Sequence, residues 1–505
     1  MNLIDKTVNY FSPKKALERA TARVKLDLMN SGYSRHGASM WKKAMRGWNT
    51  STGTADEDIT DNVHKLRERS RDLYMGAPIA TGALKTKRTA VIGRGLRAKP
   101  SIDYEVLGIS REEAREVELK IEKEWKAWAG STNCDSERKH NFYTLQRLLK
   151  LSMDMNGDVF WIPKFKRRAG TPFEFCVELI EGDRVTNKPG SSSNKVREGV
   201  EVNDEGEIVA YHIAVAGDTE YRYSYQRVEA YGKRTGERMV YHLFDPERIG
   251  QRRGVPALAP VIESLKQLTR YTEAEITRSV IAGMFSVFIT SKEQQGSLMG
   301  MGNIEGDEKV TEESEETIEL GSGNVAQLAP GEDVKSIAPN AMNIGFELFV
   351  KAVCTQVGAA LEIPVDVLLK QFNSSYSASR AALMEFWRVA LSERDYIVQN
   401  FCQPVYEKFL IDAIDSGRVV LPGFFEGAEV RRAYSRCTWV GENKGHLDPV
   451  KEINAAVKRV ELGISSREIE AQEHGNDWEE VQKQLATEKK KREEDGLEEQ
   501  KVLGN

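Results

Sequence analysis

Two stretches of helical rhythm, parted by a long segment without one, constrain this chain more than any other feature. In PALAPVIESLKQLTRYTEAEITRSVIAGMF, residues Val261, Leu265, Leu268, Ile276, Val280 and Met284 recur at the spacing of one helix face, and the prolines suit a helix start. About 25 residues at ~1.5 Å each predict a rod of roughly 37 Å. Phe346, Phe349, Val350, Val353, Val357 and Leu361 then return to the same rhythm. Between the two, residues 285–340 are helix-poor, with the Gly-rich SLMGMGNIEG and the acidic VTEESEETIEL. An insert of that length is not expected to be a bare loop. The pattern predicts a small subdomain on a two-helix stalk.

Elsewhere the chain alternates between periods. Residues 61–90 read as one helix, with Val63, Leu66, Ser70, Leu73 and Ala77 near one face and Arg67, Arg69 and Arg71 on the others. Residues 110–130 read as a second, opened by the capping box Ser110–Glu113 and striped by Val117, Ile121, Trp125 and Trp128. Residues 142–155 read as a third. VFWIPKF, FEFCVELI, EIVAYHIAV and RMVYHLF are short, β-branched and aromatic, and turn residues such as NDEGE and GKRTGE separate them. They predict an antiparallel sheet within a mixed α and β body. EIPVDVLLKQFNSSY has a proline, amides and serines and reads as an irregular loop feeding a long helix. That helix has Ser377 or Ser379 as its cap and Leu383, Phe386, Trp387, Ala390 and Leu391 on one face. Near the C-terminus, DPVKEINAAVKRVELGISSREIEAQEHG holds two short helical patterns, the second capped by Ser465 or Ser466, before a highly charged tail.

The length of 505 residues allows two to four domains. A net charge of −5 argues against a dedicated phosphate-gripping protein, though not against one that lets DNA slide past. The five cysteines, Cys134, Cys176, Cys354, Cys402 and Cys437, are widely spaced and odd in number, which points to a reducing compartment and no disulfide framework. There is no signal-peptide core and no run of membrane-spanning length, so no membrane partner is expected. No cofactor, metal site or catalytic residue is expected either. The seven histidines show no metal-ligand spacing, and His242 in a strand-like run reads as packed or hydrogen-bonded. GRGLRA and GSGNVAQ lack the strand–GxGxxG–helix setting, and no GxxxxGK[ST] occurs, so the chain itself should not hydrolyse ATP. Ser377 and Arg380 lie in neither a GxSxG elbow nor an SxxK. The carboxylates from Glu312 to Glu319 read as a solvated acidic surface. Three basic clusters, Lys85/Lys87/Arg88, Lys164/Lys166/Arg167/Arg168 and Arg252/Arg253, read as flanking charges, with DNA contact and salt bridges between neighbouring subunits both open.

Several phrases fall in a fixed order: RSRDLYMGAPIATGALKTKRTAVIGRGLRAKP at 69–100, GDVFWI at 157–162, ELIEGDRV at 178–185, YHLFDPERIGQRRGVPALAPVI at 241–262, LAPGEDVKSIAP at 328–339 and SSYSASRAALMEFWRVAL at 374–391. Together they resemble the portal proteins of lambda-like tailed bacteriophages, over roughly residues 60–410. Two details depart: ERIGQRRG lacks an internal Arg-Pro-Gly-Gln, and Ala378 stands in place of a second serine after Tyr376-Ser377.

The resemblance implies an α+β portal fold with an α/β wing, a two-helix stem, a small β-containing clip and a helical crown. On this chain it implies an N-terminal arm at 1–60, wing at 61–255, first stem helix at 256–284, clip at 285–340 and second stem helix at 341–362. A tunnel loop at 363–376, a long wing helix and return at 377–440, and a crown with a charged tail at 441–505 complete the set. It further implies a homo-oligomeric ring of twelve at one capsid vertex of the virion, assembled in the host cytoplasm. Double-stranded DNA would pass through its channel during packaging and ejection. Its partners would be the terminase large subunit, which supplies ATP hydrolysis, the major capsid and scaffold proteins, and the head–tail adaptors. The tunnel-loop residues Lys370, Gln371, Asn373, Ser374 and Ser375 would touch DNA weakly and reversibly. Read without the resemblance, a monomeric or dimeric cytoplasmic α/β enzyme or adaptor protein without a channel is the alternative.

Overall fold

In the computed structural model of the chain, the residues described are 52–190, 193, 195–216, 223–284, 288–291, 332–335, 345–372, 375–442, 449–473 and 478–495. Most of the expected arm and clip, Glu312–Glu319, Asn373 and Ser374 lie outside them.

The expected helix over 61–90 is two helices, α1 (Val63–Gly76) and α2 (Pro78–Val91). Pro78 starts α2, and a residue before proline is pushed out of the helical region, so Ala77 sits at φ −110°, ψ 110°. Strand β1 (Arg97–Pro100) leads to α3 (Arg111–Gly130), where Ser110 accepts from the Glu113 N–H and Glu113 accepts from the Ser110 N–H, the expected capping box. Next comes α4 (Phe142–Asn156). Strands β2 (Asp158–Phe165) and β3 (Phe175–Glu181) follow, then the meander β4 (Val196–Arg197), β5 (Val200–Val202), β6 (Ile208–Ala216) and β7 (Tyr223–Glu229), then β8 (Tyr241–Phe244). β2 is the centre of an antiparallel sheet in the order β3-β2-β8, and β4 to β7 pair in sequence. The predicted antiparallel sheet is therefore two sheets.

The stalk rhythm forms as α5 (Ile262–Met284), preceded by a short 3-10 turn at Ala259–Val261. Strands β9 (Phe288–Ser291) and β10 (Glu332–Lys335) pair antiparallel, and α6 (Phe346–Ala360) returns. The segment expected to be irregular contains a five-residue helix, α7 (Val365–Leu369). The long helix α8 (Tyr376–Ile397) runs through one π turn, Val398–Cys402, into α9 (Gln403–Asp415). The Asn400 carbonyl, four residues before Pro404 and its missing N–H, accepts from Trp161 Nε1 at 3.3 Å. After α10 (Ala428–Ser435), β11 (Cys437–Val440) pairs antiparallel with β1. Three further helices follow: α11 (Pro449–Glu461), α12 (Arg467–Glu473) and α13 (Trp478–Glu494). Ser466, one of the two expected caps, accepts from the Ile469 N–H at 3.2 Å.

Aromatic packing joins the early and late parts of the chain. Trp125 and Trp128 of α3 lie 5.1–5.5 Å from Phe409 of α9, Trp125 lies 5.2 Å from Phe142 of α4, and Phe142 stacks on Phe401 at 5.5 Å. Such pairs contribute stabilisation beyond that of the apolar area they remove from water. The stalk face is only half covered. Val261, Leu265 and Leu268 are buried, whereas Ile276 and Val280 are 59% and 53% exposed. Opposite them, Leu348 and Phe349 of α6 are 71% and 48% exposed. Tyr271 closes the helix pair against Phe346 and Phe349, at ring distances of 5.5 and 4.9 Å.

Candidate functional site

The loop between α6 and α8 is built from two left-handed residues. α6 ends when Glu362 takes φ 58° and the Ile363 N–H reaches back to the Gly358 carbonyl at 2.8 Å. That return needs Gly358, because a Cβ there would lie 2.5 Å from the Ile363 oxygen. Ile363, Val367 and Leu368 are buried, so the base of the loop is anchored in the core. α7 then ends when Lys370 takes φ 55° and the Gln371 N–H bonds the Asp366 carbonyl at 3.0 Å.

Lys370, Gln371 and Ser375 are all exposed at the α7–α8 junction, and Asn373 and Ser374 lie outside the described residues. The cap of α8 is Ser375, which accepts from the Ala378 N–H at 3.4 Å; it is neither Ser377 nor Ser379, which lie inside the helix. Along α8, Phe386 and Ala390 are buried as expected, while Leu391 is 46% exposed. Two exposed aromatics, Phe372 and Tyr376, flank the junction beside the expected polar residues.

Three polar anchors bolt α8 to the body. Glu393 meets Lys87 of α2 at 2.7 Å and Lys150 of α4 at 3.0 Å, and Lys150 also holds Asp154. Burial pushes the Asp154 carboxyl up; burial also opposes ionisation of Glu393, but Lys150 and Lys87 outweigh it and hold that carboxyl below its ordinary value. Arg394 donates to the Val91, Ala90 and Glu442 carbonyls at 2.9, 3.0 and 2.8 Å, a cation set on the end of α2 where carbonyls lack helix partners. Tyr396 Oη donates to the Phe244 carbonyl at 2.7 Å and accepts from its N–H at 3.1 Å.

A second buried cluster centres on Asp158 at the start of β2. It accepts from Arg67 at 3.1 Å, Arg253 at 2.6 and 3.2 Å, and the Gly254 N–H at 3.3 Å. Arg253 also donates to the Gly182 and Val185 carbonyls, each at 2.7 Å. Burial opposes the Asp158 charge, yet Arg253, His242 and Arg67 together hold its carboxyl well below the usual carboxylate range. His242 lies packed as expected, stacked on Phe160 at 4.0 Å with Nε2 3.4 Å from Asp158, and burial lowers its pKa. The sequence placed Arg67 on an outer face and Arg253 among flanking charges; both are fully buried side chains. The signal for Arg67 was present, since it falls between Val63 and Ser70 at helical spacing.

The other basic clusters are largely consumed within the chain. Arg168 donates to the Asn133, Asp135 and Ser136 carbonyls at 2.8–2.9 Å, Arg167 pairs with Glu174 at 2.7 Å, and Arg252 pairs with Asp56 at 3.0 Å. Among the described residues no group of three or more His, Cys, Asp or Glu is placed to hold a metal ion, and no helix is long and apolar enough to cross a membrane.

A helical stalk pair, a sheet-bearing body and a loop between the second rod and a long helix are what the resemblance to phage portal proteins implied. Residues 42–394 match the family described as phage portal protein, lambda family, and the chain belongs to that family. It is 25% identical over 482 residues to portal protein B of Escherichia phage lambda, covering 91% of this chain and 90% of that one. It is 25% identical over 474 residues to the portal protein of Escherichia phage N15, covering 90% and 89%. A probable portal protein of Halomonas phage phiHAP-1 is 23% identical over 451 residues, covering 86% and 82%. Among solved structures, the neck of a native gene transfer agent particle computed with C12 symmetry aligns with 82% of this chain and 93% of that chain, at 14% identity and a TM-score of 0.45.

Proposed function

We propose that this portal protein forms a closed ring of twelve copies at one capsid vertex and that double-stranded DNA passes along its axis during packaging and ejection. The observation that carries this is the family match over residues 42–394. In this reading α5 and α6 are the stem, residues 285–340 the clip that meets the terminase and later the head–tail adaptors, and residues 363–376 the tunnel loop. The protein is mechanical rather than catalytic, and ATP hydrolysis belongs to the terminase.

The half-covered stalk face supports a ring. Four large apolar side chains left in water on paired rods are a surface that a neighbour can bury. A head-to-tail interface of that kind must close on itself, because an unclosed rotation gives a filament. Ile276→Ser combined with Leu348→Ser is expected to leave a soluble chain with an unchanged thermal midpoint but without rings. Rings of normal mass from the double variant count against this interface.

The tunnel-loop polar groups then act as weak, reversible contacts to the DNA backbone. With a net charge of −5, the chain is unlike a protein that grips phosphates. Deleting residues 370–375 is expected to spare ring assembly and to lower DNA retention or packaging by at least tenfold, read as phage yield. An unchanged yield sinks the assignment of this loop.

The ring itself is tested by negative-stain microscopy with a mass measurement on the same sample. Twelve copies of a 56.9 kDa chain weigh about 680 kDa and show a central hole. A compact dimer without a hole overturns the proposal.

A further inference from the structure

A cavity of about 500 Å³ opens where the ends of α4 and α6 meet the C-terminal end of α8. Five carboxylates line it, Asp154, Asp245, Glu247, Glu362 and Glu393, against one ammonium, that of Lys87. Both helices present their C-terminal ends there, through Met153 to Gly157 and through Ala359 to Leu361, and the partial negative charge of a helix C-terminus favours a cation. Asp154 is 5% exposed, and its Oδ2 has no hydrogen-bond partner among the described residues. Asp245, Glu247 and Glu362 stand exposed around the rim. Part of the remaining wall is apolar, with Val255, Pro256, Ala257 and Pro260 from the segment that leads into α5.

An acid-lined cavity with an apolar wall is shaped for a charge on an aliphatic stem. A bare metal ion would leave the apolar wall unused, and no metal-holding group occurs among the described residues. A lysine or arginine side chain uses both halves, with the stem along the prolines and the head among the carboxylates.

We propose that this cavity receives a basic side chain, an alkyl-ammonium or alkyl-guanidinium group, from a neighbouring copy of the chain. The proposal rests on the ring reading above. It makes the junction of stem, loop and long helix a point where each subunit senses its neighbour. Glu393, which lines the cavity, is also one of the three residues that anchor α8, through Lys87 and Lys150.

The test uses the full chain and the rim variant Asp245→Asn/Glu247→Gln/Glu362→Gln, which leaves both buried clusters untouched. Ring mass is followed across a sodium chloride series. The variant is expected to lose its rings at half the salt concentration or less that the unmodified chain needs, with an unchanged thermal midpoint. Added n-propylguanidinium chloride is expected to disperse unmodified rings more strongly than sodium chloride at equal ionic strength, and n-propylurea is expected to have no effect. Rings of both proteins that survive to the same salt overturn the proposal and leave the ring reading standing. If the unmodified chain forms no ring under any condition, the ring reading fails instead. The cavity is then judged by n-propylguanidinium binding to the single chain: saturable binding at least tenfold weaker in the rim variant supports a basic-group site, and equal or absent binding overturns it.

Discussion

Asp158→Ala is expected to abolish soluble, folded protein at 37 °C. The carboxylate is fully buried between the guanidinium groups of Arg67 and Arg253, and its loss leaves both cations in a low-dielectric interior with too few partners. Breaking a buried ion pair from one side costs about 3–5 kcal/mol, against a whole-domain stability of about 5–15 kcal/mol. The loss is also spread across the fold, because Arg67 belongs to α1, Asp158 to β2, and Arg253 to the turn that launches α5. Urea unfolding of whatever protein is recovered gives the measurement. A midpoint within error of the unmodified chain contradicts the role assigned to this cluster.

The same residues set an acid limit. Asp158 has a folded pKa far below its unfolded value of about 3.9, so its stabilisation is present above that value and is lost as pH falls below it. His242 is buried with a lowered pKa, so the unfolded chain takes up a proton first, and stability begins to fall below about pH 6.5. Stability is therefore expected to decline gently from pH 6.5 and steeply below pH 4. His242→Gln should flatten the first part of that profile, and a profile identical to that of the unmodified chain would falsify the histidine contribution.

Gly254→Ala is the second large effect. A Cβ at Gly254 would stand 2.0 Å from the Gly157 carbonyl oxygen and 2.7 Å from Phe244 Cβ. Gly157 itself holds φ +89°, a conformation that a side chain would strain. Two backbone segments touch here, so no flexible side chain can yield. The shift would also disturb the Gly254 N–H bond to Asp158. The expected cost lies at or beyond the upper end of the ~1–3 kcal/mol typical of overpacking. Gly82→Ala is the contrast: nothing lies within 4 Å of the new methyl inside α2, and about 0.5–1 kcal/mol of added stability is expected. Thermal midpoints of the two variants moving in opposite directions is the result that supports this reading.

Much of this protein was legible in residue order. The apolar period drew α3, α4, α5, α6 and α8 close to their observed limits, and Ser110–Glu113 drew its cap. These features depend on neighbours within one or two turns, so sequence carries them directly. The break at Ala77-Pro78 is likewise a local event that the residues announce, because proline pushes the residue before it out of the helical region. The family was legible too, because a set of phrases in a fixed order survives where single positions do not.

What sequence left undecided is where the charges go. Lys87 and Arg253 read as flanking charges and nothing singles out Lys150, yet each of the three is buried against a carboxylate supplied by a distant part of the chain. Lys150 and Glu393 are 243 positions apart, and Arg253 and Asp158 are 95 apart. A charge is buried only when a partner from elsewhere offsets its lost hydration, and no local pattern encodes that partner. The same holds for the α6–α8 loop, where left-handed turns at Glu362 and Lys370 are imposed by the packing of Ile363 and Leu368. Residue order drew the main helical rods, the strands of the body and the family, because each depends on near neighbours or on a set of phrases in order. The tertiary structure alone decided which cations are pillars of the fold and which remain free to meet a partner, because burial is a property of the whole packed chain.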